Sequence, residues 1–171
     1  MLPVQLLLKA YRHMCQAKYM AEIYEENRQT CKYVHSTSRG HEAIQLAAAF
    51  QLLPCDYVSP YYRDESLLLG LGYTPHELML QLLAKKGDIF TGGRAYYSHP
   101  SSTETSKPRI IQQSSATGMQ VIPTTGIAQC LKLLAQTNSP LYRTGPAGEN
   151  PVVICSLGDA SITECEVSEA F

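Results

Sequence analysis

The chain has 171 residues, 44% of them hydrophobic and 17% charged, which is enough for one domain with a substantial core and too apolar for a disordered tail. Its formal net charge of -1 leaves no basic footprint for phosphate backbones or anionic membranes, so nucleic-acid and membrane partners are not expected and the ligand should be a small molecule or a protein. No apolar run approaches the roughly 18 residues that span a bilayer, and Lys9 and Arg12 follow the first apolar stretch instead of preceding it as in a leader peptide, so a cytoplasmic protein is expected.

In chain order, residues 2–26 have helical character, with Leu7, Tyr11, Met14 and Met20 on an apolar stripe. A polar stretch, 27–38, follows. Residues 41–50 are alanine-rich and small-faced, which suits a helix pressed against a neighbour. A short helix over 64–69 should be closed by Gly70 and Gly72. The sharpest local signal is Thr74-Pro75-His76-Glu77, a capping box with proline at the first helical position, heading a helix through Leu78, Leu80 and Leu83 to Lys85, Lys86 and Gly87.

Residues 87–108 are rich in Gly, Ser, Thr and Tyr without periodicity, a length at which a loop is usually functional. Residues 117–134 read as a helix in which Gly118 and Gly126 would permit close backbone approach, and 136–150 as a second loop. The unbroken apolar run 151–157 is expected to be a central parallel strand covered on both faces, with a further helix over 162–171. The six cysteines (Cys15, Cys31, Cys55, Cys130, Cys155, Cys165) form no close pair and no metal-ligand spacing. They read as reduced, mostly buried small hydrophobes. His13, His35, His41 and His76 read as structural or exposed, and Lys85 and Lys86 as surface charges at a helix end.

The strand at 151–157 ends in Gly158-Asp159. In open α/β sheets ligands bind beyond the carboxyl ends of the strands, and a carboxylate there can hold a hard divalent cation that also engages phosphate oxygens. Magnesium with a diphosphate is the natural occupant. A structural turn with Asp159 as a helix cap is the competing account of the dipeptide.

Context favours the ligand. The stretch from Leu157 through Gly158-Asp159-Ala160-Ser161 to Phe171 resembles the first half of the thiamine-diphosphate motif in alpha subunits of 2-oxo acid dehydrogenases. Arg39-Gly40-His41-Glu42-Ala43 resembles that family's Gly-Gln-Glu-Ala, Tyr61-Tyr62-Arg63-Asp64 its Tyr-Arg pair, and Gly92-Gly93-Arg94 the turn before its histidine-containing loop. Ser114-Ser115-Ala116-Thr117-Gly118-Met119-Gln120 resembles the segment beneath the cofactor's aminopyrimidine. The matches run in the family's order over nearly the whole chain.

The resemblance implies an α/β fold: a helical amino-terminal segment (1–37) leading into part of a parallel-sheet, doubly wound cofactor domain (38–171), the whole a single incomplete domain that ends before its site is complete. It implies thiamine diphosphate and Mg2+ as cofactors. Tyr62 and Arg63 would bind the terminal phosphate, a task suited to a planar, permanently charged guanidinium; a surface ion pair of Arg63 with Asp64 or Glu65 is the structural alternative. Ser115 and Thr117 would contact the pyrimidine through their backbones, or be an ordinary approach to a helix. Gly158, Asp159, Ala160 and Ser161 would line the diphosphate, Asp159 as metal ligand, and His99 would be the loop histidine near the reacting centre. Ala160 and Cys165 stand where the family commonly has glycine, and Met119 stands where branched-chain members use Thr to help hold potassium, so no potassium is expected.

Implied in turn are decarboxylation of a 2-oxo acid, branched-chain or pyruvate, and acyl transfer to a lipoyl domain. The implied partners are a beta subunit or fused beta half, a lipoyl-bearing acyltransferase and a 2-oxo acid, in an oligomer. Alone, the chain is expected to be inactive. Another thiamine enzyme of transketolase or acetoin-cleaving type, a non-catalytic regulatory relative, and a doubly wound domain with a structural Gly-Asp turn are the alternatives.

Overall fold

The computed structural model describes residues 2–31, 37–112 and 114–171. The chain gathers into two compact units, Met1–Gln51 with Tyr62–Ser98, and Leu52–Tyr61 with His99–Phe171. The first is helical and the second holds a parallel sheet, so the expected α/β class is found.

In the helical unit, α1 (Val4–Glu26) buries Ala17, Met20, Ala21 and Tyr24, a 3.6-period stripe confined to its second half. Two residues of the expected stripe, Leu7 and Tyr11, are instead exposed, at 50% and 67%. The reason is length: α1 is about 35 Å long, while α2 (Glu42–Ala49), on which it packs, is about 12 Å. Helix α3 (Glu65–Gly70) crosses α2 where a Cβ on Gly70 would stand 2.5 Å from Ala49 Cβ. Gly70 is therefore a packing residue, and the turn that ends the helix belongs to Gly72 at φ +92°.

Helix α4 (Pro75–Leu82) has the capping box read from sequence: Glu77 N donates to Thr74 Oγ1 at 3.2 Å and Thr74 N to Glu77 Oε2 at 2.7 Å. It stops before the expected Lys85. Ala84 takes φ +50° and Lys85 N donates back to Leu80 O at 2.9 Å, a left-handed closure that glycine normally makes. Lys85 and Lys86 lie exposed beyond it. The following residues have no regular structure but are held together, because buried Asp88 accepts from the amides of Phe90 (3.0 Å), Thr91 (3.1 Å) and Gly93 (3.0 Å). Gly93, at φ +77°, lies so close that a Cβ would stand 2.7 Å from the Ala84 carbonyl.

The second unit is built on strands β1 (Tyr57–Ser59), β2 (Arg109–Ile110) and β3 (Val153–Cys155), in the order β2-β1-β3 and all parallel. Neither β1 nor β2 is expected from the sequence. The run expected to be central is β3, which sits at an edge of this sheet and is only half-buried, while β1 is central with Val58 and Ser59 fully buried. Short strands of two or three residues offer no periodicity to detect. Helix α5 (Val121–Gln136) starts four residues later than expected, since Gly118 at φ +83° makes a turn instead. Gly118 does permit close approach: a Cβ there would be 3.2 Å from both Glu164 Cβ and Val167 Cγ2. Gly126, in contrast, has nothing within 4 Å.

After β3 a five-residue 3-10 helix (Asp159–Thr163) precedes α6 (Cys165–Ala170), where one helix over 162–171 is expected; Glu164, at ψ 144°, separates the two. All six cysteines are free thiols, but Cys130 and Cys165 are exposed and the other four half-buried, so none is a core residue. His35 lies outside the described residues, His41 and His76 are exposed, and His13 is half-buried. No described helix is long and apolar enough to cross a membrane.

Gly93→Ala is expected to cost about 2 kcal/mol or more, combining positive φ with the Ala84 clash, whereas Gly126→Ala in open space on α5 should stabilise by about 0.5–1 kcal/mol. Urea denaturation of the two variants checks both signs.

Candidate functional site

The parallel register pairs Tyr57 with Val153 and Ser59 with Cys155, so β1 and β3 end side by side. Tyr61 follows the first and Gly158 the second. A Cβ on Gly158 would stand 2.7 Å from Tyr61 Oη and 3.4 Å from Ser161 Oγ. Glycine is required there for space, since its φ of -74° suits any residue.

Beyond Gly158, Asp159 is exposed and its carboxylate makes no hydrogen bond or ion pair with the described residues. Ala160 is exposed too. Ser161 is the opposite: it is 1% exposed, and its Oγ has no hydrogen-bond partner among the described residues. A buried hydroxyl without a partner costs about 1–3 kcal/mol unless something accepts or donates to it, which makes this loop unusual for a purely structural turn. No group of three His, Cys, Asp or Glu among the described residues could hold a metal. The loop offers one free carboxylate, which suits a magnesium ion whose remaining ligands are phosphate oxygens and water.

Ser115 and Thr117 lie exposed on the turn before α5, where Ala116 N donates to Ser114 Oγ at 3.1 Å. Gly118 seats this turn against Glu164 and Val167, the residues that follow the Asp159–Thr163 helix. Buried Gln120 ties it to the strand end by donating from Nε2 to Ser156 O at 3.2 Å. Within this unit the end of the 114–118 turn thus packs on Glu164 and Val167, which follow the 158–161 loop, and the next residues are tied to Ser156, which precedes it. His99 is half-buried, where the chain re-enters this unit.

Tyr62 and Arg63 belong to the helical unit. The Arg63 guanidinium lies 5.0 Å over the Tyr62 ring, with Nη2 3.3 Å from its hydroxyl. No ion pair joins Arg63 to Asp64 or Glu65, which removes the structural alternative. Both carboxylates are buried and engaged elsewhere: Gln45 Nε2 donates to Asp64 Oδ1 and to Arg63 O, each at 3.0 Å, while Glu65 accepts from Tyr24 at 2.8 Å and from Tyr97. Arg63 is left exposed beside a cavity of about 430 Å³ that Arg28 and Arg39 also line, together with Glu22, Glu25 and Glu26. Burial pushes the Glu65 carboxyl up to about 7 against the pull of the two tyrosine hydroxyls.

Tyr61, Gln45 and Glu65 escape sequence reading. Tyr61 could have been found as the residue after a proline-bounded β-run, 57–60; Gln45 and Glu65 look like ordinary polar helix residues until their buried partners are known.

The model of the dehydrogenase E1 component family matches residues 11–171. The chain belongs to this family. It is 42% identical over 91 residues to the 2-oxoisovalerate dehydrogenase alpha subunit of Bacillus subtilis (strain 168), an alignment covering 53% of this chain and 27% of that protein. It is 37% identical over 89 residues to the mitochondrial 2-oxoisovalerate dehydrogenase alpha 1 subunit of Arabidopsis thaliana, covering 52% and 19%. The mitochondrial 2-oxoisovalerate dehydrogenase alpha subunit of Caenorhabditis elegans aligns over 168 residues at 26% identity, covering 98% of this chain and 35% of its own length. The chain thus spans no more than about a third of these relatives.

Gln45→Leu should destabilise the helical unit by about 1–3 kcal/mol, because it removes the buried donor that the Arg63 carbonyl and Asp64 Oδ1 share. Ser161→Ala should leave stability of the ligand-free protein within about 0.5 kcal/mol or raise it, since the hydroxyl has no partner to lose. Chemical denaturation distinguishes the two.

Proposed function

We propose that the chain is the diphosphate-gripping part of the alpha half of a 2-oxo acid dehydrogenase, acting on branched-chain 2-oxo acids with thiamine diphosphate and magnesium. The observation that carries the proposal is the 158–161 loop at the carboxyl edge of the sheet, with an exposed carboxylate at Asp159 and, two residues on, a buried hydroxyl that has no partner among the described residues, in a chain that matches the E1 family along 11–171. The relatives' names support the branched-chain substrate.

In this reading Asp159 would hold the magnesium, Gly158 lets Tyr61 pack against the start of the loop, Ala160 adds a methyl group where the backbone would approach the diphosphate, and Ser161 Oγ would meet one of its oxygens. Tyr62 and Arg63 take the terminal phosphate, with Gln45 fixing the Arg63 backbone. Ser115 and Thr117 offer their backbones to the aminopyrimidine on a turn that Gly118 and Gln120 hold in place. His99 is the side chain assigned to the reacting centre. Thiamine diphosphate, when bound, supplies the electron sink for loss of carbon dioxide from the 2-oxo acid. The magnesium neutralises diphosphate charge. A beta half completes the site, and a lipoyl-bearing acyltransferase receives the acyl group.

The test is calorimetric titration of thiamine diphosphate with magnesium into the protein co-expressed with its beta half. Asp159→Ala should abolish magnesium-dependent binding, and Arg63→Ala should weaken it on the order of 10- to 100-fold, the worth of a charge-assisted hydrogen bond. Absence of binding by the folded, unsubstituted protein overturns the proposal.

A further inference from the structure

We propose that Glu65 is a protonation-dependent clamp: as a neutral carboxylic acid it fastens α1 and residues 92–98 to the first residue of α3, and on ionising it releases them. The inference is independent of the cofactor reading. It concerns the helical unit alone, and nothing in the roles given above uses Glu65 for chemistry.

The geometry is a three-way junction. Tyr24, from the last turns of α1, donates to Glu65 Oε1 at 2.8 Å, and Tyr97, from the glycine-rich segment, donates to the same oxygen. The tyrosines also meet each other, hydroxyl to hydroxyl at 3.4 Å and ring edge to ring face at 6.1 Å between centroids. All three residues are buried, at 1%, 3% and 3% exposure. The other carboxyl oxygen, Oε2, is buried with no partner among the described residues. An ionised carboxylate here would leave that oxygen charged, dehydrated and uncompensated, whereas a carboxylic acid leaves only a neutral polar atom without a bond, a far smaller penalty.

Among the described residues the surroundings offer no ion-pair partner. From α1 the facing titratable group is Tyr24, with Cys31 acting on its hydroxyl from beyond; from residues 92–98 it is Tyr97. On the chain beside it, Asp64 is held by Gln45 of α2, and Ser66 bonds Ser38 at 2.7 Å. No Lys, Arg or His forms an ion pair with Glu65 among the described residues. Burial lifts the Glu65 carboxyl to about 7, and burial foremost, with the neighbouring carboxylate, holds both tyrosines well above their ordinary value. The tyrosines therefore stay neutral donors, and Glu65 is the group that switches.

The direction follows from linkage. In the open chain the carboxyl titrates near its ordinary 4.5, and in the closed clamp near 7. Between these values the closed form holds the extra proton, so its stabilisation is complete below 4.5 and is lost as the pH rises through 7. Opening should rise by up to about tenfold per pH unit across the window and level off above it.

The experiment is amide hydrogen exchange of residues 94–98 in the intact protein, corrected for intrinsic exchange, at about pH 5.5 and 7.5, beside a carbon-13 titration of the glutamate carboxyls. Protection should fall about tenfold or more between the two pH values, and one carboxyl should titrate near 7. In Glu65→Gln, which keeps an acceptor oxygen but cannot ionise, the pH response should vanish and that carboxyl signal should be missing. Unchanged protection in the unsubstituted protein overturns the clamp, as does the same response persisting in Glu65→Gln. If the substituted protein does not fold, the carboxyl titration decides alone: every glutamate titrating near the ordinary 4.5 overturns the proposal.

Discussion

The buried carboxylate of Asp56 is the interaction on which the α/β unit depends. It stands one residue before β1, accepts from Leu53 N at 2.6 Å and, far along the chain, from Val152 N at 2.8 Å. That second bond locks the entry to β3 onto the entry to β1, and the ladder follows: Tyr57 N to Val152 O at 2.9 Å, Ser156 N to Ser59 O at 3.0 Å. Parallel strands starting in register finish in register, so Tyr61 and Gly158 meet at the carboxyl edge. The place of the strand-end loop in which the site is proposed is a consequence of a bond made at the opposite end of the strands.

Buried polar groups in this chain sort by whether they are satisfied. Asp56, Asp88 and Gln120 have their bonds and act as fasteners, each replacing regular structure where a strand entry, a glycine-rich turn or a helix start needs holding. Ser161 Oγ and Glu65 Oε2 have none among the described residues. A partnerless buried atom is costly in a folded protein, and it persists where the missing partner is a ligand or where protonation removes the charge. The first account fits Ser161, two residues along the same loop from the exposed carboxylate of Asp159; the second fits Glu65, which already has two donors on its other oxygen. Gln81, fully buried on α4 with both amide atoms partnerless among the described residues, has no physical account in the structure.

The positions where sequence reading failed share a cause. Leu7 and Tyr11 are apolar residues at helical spacing, but spacing does not say how far the neighbouring helices extend. The end of α4 was read from lysines and a glycine, while the backbone turned earlier, at Ala84, where left-handed closure is uncommon for alanine. Gly126 and Gly118 look alike in sequence, and only the approach of Glu164 and Val167 separates a required glycine from an incidental one.

By itself the sequence determined what local chemistry decides: the capping box at Thr74, the helical stretches with full-turn periodicity, the presence of a strand within 151–157, although it ends at Cys155 and not at Gly158, and, through motifs in order, the family. These signals lie within a few residues of one another, so a linear reading can see them. Only the tertiary structure decided that β1, a three-residue run, is the centre of the sheet, that Arg63 is free of Asp64 and Glu65, and that Tyr24 and Tyr97 close on one carboxyl 41 and 32 residues away. Those outcomes depend on burial and on partners distant in sequence, and the free energy of a buried polar group is set by its neighbours in space, which no local pattern contains.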